Sequence, residues 1–94
     1  MLRKKIVAGN WKMNNDLQET ELLINELVAE TNRCGCEVMI APSFVCLKTA
    51  IDLLIDNDIE VVSQNVHQKS SGAYTGEVSE KMLSSIGVKT TIIG

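Results

Sequence analysis

The chain has 94 residues, enough for one small domain that buries only a modest fraction of its surface. A net charge of −3 supplies no basic field to draw nucleic acid, and Trp11, Phe44 and Tyr74 are too few and scattered to stack bases. A hydrophobic fraction of 45% excludes a disordered tail. Ile6-Val7-Ala8 is too short for a signal-peptide core, no run reaches membrane-spanning length, and the composition predicts a cytoplasmic protein.

The first element is a strand near 5–10, built on Ile6-Val7-Ala8 and followed at once by Gly9-Asn10-Trp11-Lys12-Met13-Asn14. A helix near 16–32 follows, with Leu23/Leu27 and Ile24/Val28 four apart and Asp16 with Glu19 as a capping box. Val38-Met39-Ile40-Ala41 marks a second strand near 37–42. The stripe Leu47, Ala50, Ile51, Leu54 and Ile55 predicts a helix near 44–56, with Ser43 as its N-cap. Ile59-Glu60-Val61-Val62 places a third strand near 59–64. Met82, Leu83 and Ile86 share one face of a helix near 79–86, capped by Ser79 and stopped by Gly87. Thr91-Ile92-Ile93 closes the series as a strand near 89–94.

Apolar, β-branched strands without polar alternation fit a sheet covered on both faces, and strict β-α alternation implies right-handed crossovers and parallel strands. The residues after each strand then share one rim, which gathers Asn10, Lys12 and Asn65. That rim is where α/β proteins bind ligands, and an amide two residues from an ammonium suits a phosphorylated or oxyanionic small molecule. Gln64 and Asn65 read as residues that satisfy backbone groups at a strand end. The segment 66–78, with Ser70-Ser71-Gly72-Ala73-Tyr74-Thr75-Gly76-Glu77, is too long and polar for an ordinary connection and reads as partner-facing. Ile92 and Ile93 would leave an uncharged edge, and four strands with helices on one side leave an apolar sheet face bare. The expected remedy is a missing complement, either further polypeptide or another chain.

Cys34, Cys36 and Cys46 are odd in number, and Cys34-Gly35-Cys36 is too closely spaced to make a good disulfide, so free thiols in a reducing compartment are expected. His67 is the only histidine and stands far from any cysteine pair, which leaves no zinc spacing and no metal site. Gly72 and Gly76 are not followed by the Lys-Ser/Thr of a phosphate-binding loop.

Five motifs in register resemble the amino-terminal part of the triosephosphate isomerase family. They are Ala8-Gly9-Asn10-Trp11-Lys12-Met13-Asn14, Ala41-Pro42-Ser43-Phe44, Gln64-Asn65-Val66, Ser71-Gly72-Ala73-Tyr74-Thr75-Gly76-Glu77 and Thr91-Ile92-Ile93-Gly94. The resemblance implies the amino-terminal (βα)3β part of an eight-stranded (β/α)8 barrel, a fold of roughly 250 residues. It implies interconversion of dihydroxyacetone phosphate and D-glyceraldehyde 3-phosphate through an enediolate, by a glutamate base and a neutral histidine, with no cofactor.

Carried over residue by residue, Lys12 and Asn10 are the substrate-binding and catalytic residues. Lys12 holds the phosphate and stabilises charge on the carbonyl oxygen, and Asn10 donates toward that oxygen. Ala73, Tyr74, Thr75, Gly76 and Glu77 are the dimer interface, with Thr75 bracing the neighbouring subunit. The family's histidine follows the glycine matched by Gly94, and its base and lid lie further on; His67 matches neither position. The resemblance therefore implies a fragment of a homodimeric glycolytic enzyme, inactive alone. The alternative is a non-catalytic half-barrel that binds anions weakly or pairs with a complementary chain.

Overall fold

The computed structural model describes residues 3–31 and 35–94. Six elements follow one another: β1 (Ile6–Asn10), α1 (Leu17–Thr31), β2 (Glu37–Ala41), α2 (Phe44–Leu53), β3 (Glu60–Val61) and α3 (Glu80–Ser85). The strands pair in parallel in the order β1-β2-β3. Ile6 aligns with Glu37 and Asn10 with Ala41, and Ile40 aligns with Val61. The register brings the carboxyl ends of β1 and β2 level, so the loops after them open on one rim.

Local chemistry sets the helix ends. Asp16 N–H donates to Glu19 Oε1 at 3.1 Å and Glu19 N–H to Asp16 Oδ1 at 2.9 Å, the reciprocal pair that satisfies the first turn of α1. Ser79 Oγ accepts from Met82 N–H at 3.2 Å to cap α3. At the other end Gly87 takes φ 95°, while Val88 N–H donates to Leu83 O. Ser43 stands at the N-cap of α2 but its side chain makes no cap bond; its carbonyl receives Cys46 N–H instead. Helix α2 ends at Leu53, short of the expected 56, with Leu54 as its C-cap.

Ile24, Leu47, Ala50, Leu54 and Leu83 from the helical side close over Ile40, Ile59, Val61 and Val88, with Val38 and Trp11 packed alongside. Each buried aliphatic side chain of this kind is worth about 1.5–3 kcal/mol. Ile6 and Val7 remain 56% and 57% exposed, so the described residues leave much of β1 uncovered.

The strand expected near 89–94 is reduced to a single parallel bridge between Ser63 and Thr91. Ser63 N–H donates to Thr90 O and Ile92 N–H to Ser63 O, and the hydroxyls of Ser63 and Thr91 meet at 2.7 Å. Its neighbour β3 is only two residues long, and no strand flanks the segment on its other side among the described residues, so a continuous ladder does not form.

Cys36 is disulfide-bonded, which overturns the expectation of three free thiols. Cys46 is free and buried, and Cys34 lies outside the described residues. No helix among the described residues is long and apolar enough to cross a membrane.

Candidate anion-binding rim

Strand β1 delivers Asn10 to the rim, and the ladder continues one step beyond it, with Trp11 N–H donating to Ala41 O at 3.1 Å. The chain then turns sharply. Lys12 adopts φ 55° and Asn15 φ 73°, a left-handed backbone that costs a non-glycine residue on the order of 1–2 kcal/mol.

Five hydrogen bonds hold the turn. Lys12 N–H donates to Asn10 Oδ1 at 2.9 Å, and Asn14 Nδ2 donates to Trp11 O at 2.9 Å. From the end of β3, the Gln64 amide donates to Lys12 O and to Ala41 O, each at 2.7 Å. From α2, the buried Cys46 thiol reaches Asn15 O at 3.6 Å. Hydrogen bonds of this kind contribute about 1 kcal/mol each, enough together to offset the backbone strain.

This bracing leaves the working groups unspent. Asn10 uses its carbonyl oxygen internally, so its NH2 remains the free, donating end. Lys12 is exposed, and its ammonium makes no ion pair among the described residues. An amide donor and an unpaired cation on a rigid turn at a strand end can bind an anion and stabilise charge developing on oxygen. Gln64, read from sequence only as a strand-end residue, is what ties Lys12 to both neighbouring strands. Asn65 stays local, with Oδ1 accepting from Val66 N–H.

The segment after β3 forms a separate, self-braced projection. His67 N–H donates to Val78 O at 2.8 Å, and Glu77 N–H donates to Tyr74 O at 3.0 Å across a turn with Gly76 at φ 86°. The His67 and Tyr74 rings pack against each other, tilted by 36° with centroids 4.3 Å apart. Gly72, at φ 136°, lies where a Cβ would come within 2.8 Å of the Tyr74 ring. Ala73, Tyr74, Thr75, Gly76 and Glu77 are all exposed, and no hydrogen bond among the described residues joins them to Asn10 or Lys12. His67 belongs to this projection, not to the rim. No trio of His, Cys, Asp or Glu among the described residues is placed to hold a metal ion.

A three-stranded parallel sheet with helices packed on one face and a polar, ammonium-bearing turn at its carboxyl rim is the architecture of the amino-terminal part of an α/β barrel. The triosephosphate isomerase family model matches residues 5–94, and the chain belongs to that family. Triosephosphate isomerase of Flavobacterium psychrophilum is 51% identical over 94 residues. That of Flavobacterium johnsoniae is 50% identical over 94 residues, and that of Chlorobium chlorochromatii 47% over 95. Each alignment takes in 99% of this chain and 38% of the relative, so the chain spans well under half the length of the relatives it matches.

Proposed function

We propose that this chain supplies the phosphate-facing wall of a triosephosphate isomerase. In that enzyme dihydroxyacetone phosphate and D-glyceraldehyde 3-phosphate interconvert by proton transfer through an enediolate. The supporting observation is the strained turn at Lys12, held by Gln64 just after β3, with the ammonium in no ion pair among the described residues. Lys12 binds the substrate phosphate and stabilises negative charge on the carbonyl oxygen, and the Asn10 NH2 donates to that oxygen. The base and the carbonyl-polarising histidine lie on the part of the family fold beyond the matched residues.

Ala73, Tyr74, Thr75, Gly76 and Glu77 form the dimer contact of the assembled enzyme, a role supported by their exposure on a projection braced by its own contacts. The enzyme is cytoplasmic and glycolytic. The 94-residue chain by itself provides charge stabilisation without a proton-transfer group, so it does not turn over substrate. A coupled assay on the purified chain is expected to give no rate above background; turnover approaching that of a full-length relative would contradict the assignment. A second reading, a non-catalytic half-barrel that pairs with a complementary chain, draws support from the uncovered β1 residues Ile6 and Val7.

A further inference from the structure

The geometry points to an interaction surface of defined chemistry on the helix-free face of the sheet: the strands that cover it carry a lysine or arginine opposite Glu60. This rests on the barrel reading above and goes beyond it by naming what the complement must present.

Paired residues in a parallel sheet share a face. Ile40 and Val61 are paired and lie in the helix-packed core, with Val38 alongside. The alternate set, which includes Ile6 paired with Glu37 and Met39 paired with Glu60, therefore points away from the helices. At the loop end of that set Ala41 and Val62 are already buried. The opening lies at the opposite end, where Ile6 is 56% exposed and Glu60 is half-buried.

Glu60 Oε2 accepts from Thr90 Oγ1 at 2.7 Å, its hydrogen bond among the described residues. An ionised carboxylate has about four acceptor sites, so one hydroxyl leaves most of its demand to water. Lys4 stands 3.8 Å from Glu37 with both side chains well exposed, a contact screened by solvent and contributing little. Lys89 lines a depression with Glu60 but makes no ion pair with it among the described residues.

Covering this face removes water from Glu60. Purely apolar strands would match Ile6 and Met39 but leave a carboxylate uncompensated, which proteins avoid by pairing it. The occupant is accordingly the strand portion of the family fold beyond the matched residues, on the same or a second polypeptide, with a cationic side chain at the level of Glu60.

The experiment takes the unmatched part of the Flavobacterium psychrophilum relative, randomises its inward strand positions at the barrel's amino-terminal end, and selects binders on the 94-residue chain. Glu60→Leu and the shape-conserving Glu60→Gln serve as parallel baits. Lysine or arginine is expected to be enriched about tenfold or more on the unaltered chain and on neither variant. The same residues recovered on all three baits would overturn the proposal while leaving the barrel reading intact. Recovery of no binder from any bait would remove the barrel reading, and the proposal with it.

Discussion

Left-handed backbone is confined to two non-glycine residues among those described, Lys12 and Asn15, and they bracket the turn that carries the cation. The Gln64 amide is the longest-range tether of that turn, joining residues 52 apart in sequence. Gln64→Ala is expected to remove the bond to Lys12 O, leave Ala41 O with Trp11 N–H alone, and cost about 1–3 kcal/mol, seen as a lower melting temperature and weaker binding of inorganic phosphate. An unchanged phosphate affinity would show that Lys12 is held by other means. Thr20 Oγ1 is fully buried without a hydrogen-bond partner among the described residues. Thr20→Val should therefore stabilise the chain by about 1 kcal/mol, raising its melting temperature by several degrees; a fall would reveal a partner for the hydroxyl. At Gly72 a methyl group meets the Tyr74 ring and the backbone is left-handed, so Gly72→Ala is expected to cost about 1–2 kcal/mol and to change the Tyr74 fluorescence. That Asn10 and Lys12 stand where β1 stops was legible in the sequence, because an apolar run that gives way to polar residues marks a strand end. Gln64 was not, because its role depends on three strands meeting at one rim, and no local pattern encodes that meeting.

Elements whose signals are local matched their sequence. The Asp16/Glu19 pair forms its reciprocal cap, and Ser79 and Gly87 bracket α3. Helix α3 has only six residues, so a single cap bears heavily on it. Ser79→Ala is expected to destabilise it by about 1 kcal/mol, detected as faster amide exchange across residues 80–85. Unchanged exchange there would show that packing of Leu83 alone holds the helix. Ser43 illustrates where composition misleads: a serine stands at the cap position, yet only its backbone carbonyl serves the turn. The segment 89–94 shows a different limit. Its β-branched residues favour a strand, but a ladder needs neighbours, and here two hydroxyls and two backbone bonds to Ser63 do the joining. Cys36 went unread for the reverse reason: its close spacing to Cys34 argued for free thiols, whereas Cys36 is disulfide-bonded.

At the scale of the molecule, the helices bury one sheet face and leave much of β1 bare, an arrangement that makes sense as part of a larger closed sheet. The chain covers 38% of the relatives it matches, and the role proposed for its rim, charge stabilisation, is likewise one part of a larger reaction. The most direct measurement is the steady-state rate of triose phosphate isomerisation after the 94-residue chain is mixed with the unmatched portion of the Flavobacterium psychrophilum relative. Lys12→Met and the unaltered chain are compared side by side. Turnover is expected to appear only on mixing, and Lys12→Met to lower it by about 100-fold or more. Equal rates with methionine at position 12, or full turnover from the unmixed chain, would contradict the proposed role.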